Sequence, residues 1–294
     1  MLKKSILLEN KASLSTKNLQ LVIKTETRES TIPIEDIGFL VIDHPEIYLS
    51  IPAMNLMIEN NTSVIICNTN HLPNGMFLNL NSHHIQQEIF KNQINASVPL
   101  KKQLWQQTVI DKITNQGILL QKITSKNNNF EFLASKVLSG DSSNMEGVAA
   151  SFYWKVFFEQ KFKRERFGDY PNNFLNYGYA ILRAATARAL SGSGLLNTLG
   201  IHHKSKYNAF ALADDIMEPF RPIVDEKVVE IMQKYDEQEL NTLIKSELLQ
   251  ILTRTVYFKD EKSPLMVALQ KTASSLQQCY TGHRKKIKYP KLWS

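Results

Sequence analysis

Residues 63–75 read Ser63-Val-Ile-Ile-Cys67-Asn-Thr-Asn-His71-Leu-Pro73-Asn74-Gly75, and the fold turns on what lies either side of them. Ser63–Cys67 is a short apolar run of the kind expected in a strand buried on both faces. Pro73-Asn74-Gly75 is a turn signal that closes the unit. Upstream, Lys4–Leu8, Leu19–Lys24 and Ile37–Ile42 are similar Ile-, Val- and Leu-rich runs between polar segments, and each predicts a strand. Ile51–Asn60 has helical spacing. Downstream, from about Ser82, apolar residues recur three and four apart through Leu100–Ile113, Met145–Arg166, Phe174–Leu190, Phe210–Met217, Asp225–Tyr235 and Glu237–Arg254. Pro264 precedes a further helix running to about Tyr280, and Ser125–Asn129 reads as a polar loop.

The expected fold is therefore α+β. A small β-rich N-terminal domain (1–80) precedes a larger, mostly α-helical domain (81–294). The chain has 294 residues, 43% hydrophobic and 21% charged, as in an ordinary globular protein. No apolar run approaches the roughly 20 residues that cross a bilayer. The start, MLKKSILLEN, has too short an apolar stretch for a signal peptide, so a cytoplasmic location and no membrane partner are expected. Cys67 and Cys279 read as two free thiols. Any metal must then rely on histidines and carboxylates.

The net charge of +7 is unevenly spread: residues 1–80 carry −2 and residues 81–294 carry +9. The last thirty residues hold six basic side chains and no acidic one, four of them within Arg284–Lys288. A regional basic excess suits a polyanionic partner such as nucleic acid, through counterion release. A solvated tail that aids solubility is the plainer alternative.

Three places in the helical half carry possible chemistry. Ser142-Ser-Asn-Met-Glu146-Gly147 precedes a long helix; Ser143 and Glu146 fit a capping box, and Glu146 could instead bind a cation. Gly147 is a poor helix former and calls for close approach of another group. In Gly200-Ile-His202-His203 the adjacent imidazoles point in different directions, so at most one faces a given site. Asp214-Asp215-Ile-Met-Glu218-Pro219-Phe-Arg221-Pro222 places Asp214 and Asp215 four and three residues before Glu218, on one helix side. Their repulsion is relieved by a divalent cation or a basic partner, or they form a solvated acidic face with Arg221 as counter-ion. Glu218 precedes a proline, so the helix should kink there. Two carboxylates and an imidazole suit Mg²⁺ or Mn²⁺, with open positions left for water and phosphate oxygens.

At these motifs the chain resembles the CRISPR-associated spacer-acquisition integrase/endonuclease, the first of the numbered Cas proteins, in its type II branch. The likeness runs through Thr31-Ile-Pro-Ile-Glu35-Asp36, Cys67…His71-x-Pro73-x-Gly75, Met145-Glu146-Gly147, Asn176-Tyr-Gly-Tyr-Ala180, Gly200–His203 and Asp214–Pro222. The resemblance implies a metal held by Glu146, His203 and Glu218, with His203 chosen because it follows a glycine by three. Asp215 takes a supporting acidic role. It implies a metal-dependent DNA endonuclease/integrase that inserts spacer DNA into a CRISPR array by 3′-hydroxyl attack on repeat-border phosphodiesters. Mg²⁺ or Mn²⁺ is the implied cofactor. Implied partners are prespacer and repeat DNA, a second copy paired through the N-terminal domains, a dimer of the small second Cas protein, and type II effector machinery. Candidate DNA contacts near the motifs are Lys161, Lys163, Arg164, Arg166, Arg183, Arg188, Lys204 and Lys206.

Two other classes compete: a catalytically silent DNA-binding scaffold, and a small-molecule metal phosphohydrolase using His202, His203 and the Asp214–Asp215 pair. The unbroken trio argues against the first. The basic tail and the shortage of further ligand histidines argue against the second.

Overall fold

A computed structural model of the chain describes residues 3–79, 81, 83–125, 128–158, 162–165, 168–259 and 261–294. It is α+β, with the sheets early in the chain and the helices after them. Strands β1 (Lys4–Leu8), β2 (Ala12–Lys17), β3 (Gln20–Lys24), β4 (Glu29–Pro33), β5 (Ile37–Ile42), β6 (Ile47–Leu49), β7 (Ser63–Cys67) and β8 (Pro73–Phe77) build two sheets. One sheet has the order β4-β3-β2-β6 and the other β1-β5-β7-β8, with helix α1 (Ile51–Glu59) between β6 and β7. In the second sheet β1, β5 and β7 are parallel and β8 is antiparallel to β7.

Every residue of β5, Ile-Gly-Phe-Leu-Val-Ile, is buried. From Phe39 to Ile42 the side chains alternate across the strand. Ile37, Leu40 and Ile42 enter a core shared with Leu14, Leu21, Ile23 and Met57, while Phe39 and Val41 join the core of the helices. β7 divides the same way, with Val64 in the first core and Ile65 in the second, but Ile66 is 37% exposed. Burial on both faces therefore belongs to β5 more fully than to Ser63–Cys67.

The strand β8 corrects the reading of Pro73-Asn74-Gly75 as a turn. The reversal lies one step earlier, where the Asn68 side chain accepts hydrogen bonds from the Asn70 and Leu72 amides, each at 3.0 Å. Pro73 then opens an edge strand, where its missing N–H costs no ladder bond.

The helices are α2 (Gln86–Ile94), α3 (Val98–Thr124), α4 (Phe130–Ser135), α5 (Met145–Phe157), α6 (Asn172–Gly192), α7 (Ala211–Met217), α8 (Arg221–Lys234), α9 (Thr242–Leu249) and α10 (Leu265–Tyr280). α3 runs far beyond the expected Ile113, started by the Ser97 side chain on the Leu100 amide. α5 stops short of Arg166: Phe158 and Phe162 fold onto Trp154, with ring centroids 6.0 and 5.5 Å away. The stretch read as one helix over Glu237–Arg254 is α9 followed by a 3₁₀ turn, and Asn241 caps its start on the Ile244 amide. A hairpin, β9 (Thr255–Phe258) and β10 (Glu261–Pro264), intervenes before α10.

The basic C-terminal segment is docked. Ile287 and Leu292 are buried, the Ile287 backbone exchanges hydrogen bonds with Gln107 of α3, and Trp293 Nε1 donates to Glu226 at 2.8 Å. Arg284, Lys285, Lys286 and Lys288 remain exposed. Lys245 of α9 ties the halves together through Asp43 at 2.6 Å and Glu9 at 2.8 Å. Both cysteines are free thiols, and burial, then Asp43, pushes the Cys67 thiol up to about 12, which leaves it unreactive. Among the described residues no helix is long and apolar enough to cross a membrane.

Candidate active site

The centre of the site is a residue that no sequence motif singled out. Lys112 lies on the buried stripe of α3 with Trp105, Thr108, Val109 and Leu119, and its ammonium stands 2.6 Å from Glu146 Oε1 and 2.6 Å from Glu218 Oε2. Burial alone would lower the Lys112 pKa, but Glu218 and then Glu146 outweigh it and the net shift is upward. A lysine inside an otherwise apolar helical stripe was the available signal, since an unpaired ammonium there would be costly.

Glu146 is the second residue of α5. The capping-box alternative fails because Asp141 does the capping: Oδ1 accepts from the Met145 amide at 2.8 Å and Oδ2 from the Glu146 amide at 3.0 Å. Ser143 is not needed, and the Glu146 carboxylate is free to reach Lys112. Gly147 has the close neighbour its presence called for, since the Asn144 side chain lies 2.8 Å from where a Cβ would stand.

Glu218 begins a 3₁₀ turn, Glu218–Phe220, that joins α7 to α8, so the irregularity expected before Pro219 is a tightened turn with Glu218 itself helical. Asn115 of α3 holds this turn by donating to the Pro219 carbonyl at 2.8 Å. Glu218 is only 4% exposed, which rules out a solvated acidic face. Burial pushes its pKa up, but Arg221 (2.9 Å) and Lys112 overcome it and hold the group below its ordinary value. Arg221 is thus the counter-ion, in a buried setting. Glu218 Oε2 is the oxygen that meets the Lys112 ammonium, while Oε1 faces Arg221.

His203 lies in the loop between α6 and α7, its side chain 42% exposed, with Nδ1 2.5 Å from Asp215 Oδ1. A carboxylate can only accept, so Nδ1 carries the hydrogen and Nε2 of the neutral ring is left with a free lone pair. The hydrogen bond to Asp215, opposed by burial, raises the His203 pKa. Asp215 is fully buried and also accepts from the amides of Ile201, His202 and His203, at 2.6, 2.9 and 3.2 Å. Trp105 supplies the wall: the His202 ring stacks flat on it at 4.3 Å, and the His203 ring meets it edge-on at 6.0 Å. The two histidines therefore do face differently, and His202 is spent on stacking. Asp214 turns away to Arg183, 3.0 Å distant.

The donor set, two carboxylates and an anchored imidazole, is chemically suited to Mg²⁺ or Mn²⁺. Among the described residues, however, no group of three His, Cys, Asp or Glu side chains converges tightly enough to form a ready ligand set. Lys112 occupies the position between the carboxylates instead.

The basic candidates differ in what holds them. Arg164 donates to Asn172 at 3.0 Å and Asn176 at 2.6 Å and lies over the Tyr179 ring. Arg183 is paired with Asp214, and Arg188 donates to the Asn61 carbonyl at 2.7 Å, so these two point in different directions along α6. Lys163 is exposed and pairs with Glu165 at 3.0 Å. Lys204 and Lys206 are exposed on the His203 loop. Lys161 and Arg166 lie outside the described residues.

Comparison with known proteins places the chain in a family. The family model of "CRISPR associated protein Cas1" matches residues 6–247. A "CRISPR-associated endonuclease Cas1" of Neisseria meningitidis serogroup C (strain 8013) is 36% identical, over 98% of this chain and 96% of its own. The chain belongs to the CRISPR-associated Cas1 family. The fold is shared with a solved "Casposase bound to integration product" (TM-score 0.81, 21% identity, 97% of this chain and 92% of that one). It is also shared with a CAS1 protein from Thermotoga maritima (TM-score 0.75, 18% identity, 95% and 97%).

Proposed function

We propose that this chain is a metal-dependent DNA endonuclease/integrase that joins spacer DNA to a CRISPR array. The observation that carries the reading is the convergence of Glu146 and Glu218 on one point beside an imidazole locked by Asp215. The name of the Neisseria relative and the integration product bound by the casposase support the choice of DNA strand chemistry.

Glu146, His203 Nε2 and Glu218 are the groups that would hold Mg²⁺ or Mn²⁺. A bound divalent ion supplies charge stabilisation at the phosphate and orients the reacting oxygens. The chain's own contribution is placement. α3 and Asn115 fix the Glu218 turn, Asp141 fixes the start of α5, and Asp215 with Trp105 fixes the His203 ring. In the joining step the 3′-oxygen of the incoming strand forms a bond to phosphorus and loses its proton. The bond to the 3′-oxygen of the repeat strand breaks, and that oxygen gains a proton. Exposed Lys204 and Lys206, beside His203, and Lys163 are suited to backbone phosphates.

In the wider assembly the slightly acidic N-terminal unit, residues 1–80, pairs two copies. A small second Cas protein completes the integration complex; in support, 99% of this chain matches the fold of 36% of a chain in a solved "Cas6-RT-Cas1--Cas2 complex" (TM-score 0.73, 21% identity).

The test is an integration assay with supercoiled plasmid, short duplex DNA and Mn²⁺ or Mg²⁺. Wild type joins strands, and Glu146→Ala, His203→Ala and Glu218→Ala each abolish joining while DNA binding persists. Full activity in His203→Ala would overturn the metal assignment, and equal loss from His202→Ala would move the ligand by one residue.

A further inference from the structure

We propose that Lys112 is a built-in stand-in for the divalent cation: its ammonium neutralises Glu146 and Glu218 in the metal-free protein and must leave for metal to bind. The inference rests on the metal-site reading given above and adds a residue to it. Its basis is position. One nitrogen lies 2.6 Å from an oxygen of each carboxylate, and those carboxylates come from separate elements, α5 and the 218–220 turn. The Lys112 side chain is 11% exposed and Glu218's 5%, so water cannot take over the neutralising role cheaply.

Two cations cannot share this point. A divalent ion that enters between the carboxylates gains their charge only by displacing the ammonium, so the two bind in competition. The ion enters from the Glu146 side, whose side chain is 23% exposed. The stem of Lys112 is anchored on the long helix α3, next to the wall made by Trp105, and four flexible carbons let the head swing without moving the helix. A site built this way stays folded without metal.

Lys112→Met keeps the apolar stem and removes the charge; Lys112→Gln keeps a hydrogen-bonding head. Mn²⁺ titration of the chain, read by electron paramagnetic resonance of free Mn²⁺, should give affinity about tenfold or more tighter in both variants than in wild type. Without metal, their thermal midpoints should fall below that of wild type, and Mn²⁺ should raise them by more than it raises wild type. Unchanged or weaker Mn²⁺ affinity in a folded variant would overturn the proposal.

If neither variant folds, acylation of Lys112 in wild type decides, read by peptide mass spectrometry. Labelling should rise on adding Mg²⁺ in wild type but not in Glu146→Ala, and labelling indifferent to Mg²⁺ sinks the idea. Failure of the underlying reading looks different: Mn²⁺ binding would then be indifferent to Glu146→Ala and Glu218→Ala in every background. Binding that needs both carboxylates but ignores Lys112 leaves the metal site intact and removes only this role.

Discussion

Asp215 Oδ1 lies 2.5 Å from His203 Nδ1, and the same carboxylate gathers the three successive amides of residues 201–203. One buried side chain therefore sets both the path of the loop and the face its imidazole presents. Loop and ring are positioned by a single charge.

Replacing that charge should uncouple the two. Asp215→Asn cannot accept from three amides and Nδ1 together without turning an NH₂ towards one of them. Strand joining and Mn²⁺ affinity should each fall by about 10- to 100-fold, the range for a residue that orients a ligand. Circular dichroism and Mn²⁺ titration check it; full Mn²⁺ affinity in a folded variant contradicts it.

Gly200 is the second requirement of the same clamp. A Cβ there would stand 2.6 Å from the His203 carbonyl oxygen and 2.8 Å from Asp215 Oδ2. Neither neighbour can yield, because one is backbone and the other is held by several donors. Gly200→Ala should cost about 1–3 kcal/mol in urea unfolding and should impair joining as well.

Asp141→Ala removes the acceptor of the first two amides of α5. Loss of a helix cap costs about 1–2 kcal/mol, and here it also loosens the residue that carries Glu146. Urea unfolding should register the first effect and reduced Mn²⁺ affinity the second. Asp141→Asn, which retains one acceptor, should fall between.

Glu247 sets an acid limit on stability. Hydrogen bonds from Lys227, then Lys234, and further from Tyr235 hold its carboxyl down at about 2, against 4.5 ordinarily. The folded state thus favours the ionised form. Its contribution is complete above pH 4.5 and is lost as pH falls towards 2. Glu247→Gln should be about 1–2 kcal/mol less stable at pH 7, allowing for the exposure of Lys234. The difference from wild type should shrink between pH 4.5 and 2.

Much of this was legible in the sequence, and the gaps have physical causes. The apolar runs at Ile37–Ile42 and Ser63–Cys67 announced strands because burial demands such runs. β2, Ala-Ser-Leu-Ser-Thr-Lys, carries no such run because its buried residues are only Ala12 and Leu14. The pair Asp215 and Glu218 was visible from helical spacing. Lys112, 34 residues before Glu146, was not: only folding reveals that a lysine and two distant carboxylates share a point. The Asp141 cap was hidden similarly. Ser143 satisfied the local rule, while a residue four before Met145, in the left-handed region (φ 50°), made the bonds.

β5 has a consequence for how the molecule comes apart. Its Ile37, Leu40 and Ile42 side chains belong to the core shared with Leu14, Leu21, Ile23 and Met57, and Phe39 and Val41 belong to the core of the helices. A party wall cannot be removed from one house alone: melting either half strips an apolar face from the other. Strand-rich and helical halves should therefore lose structure in a single calorimetric transition, without a plateau in which one survives its neighbour.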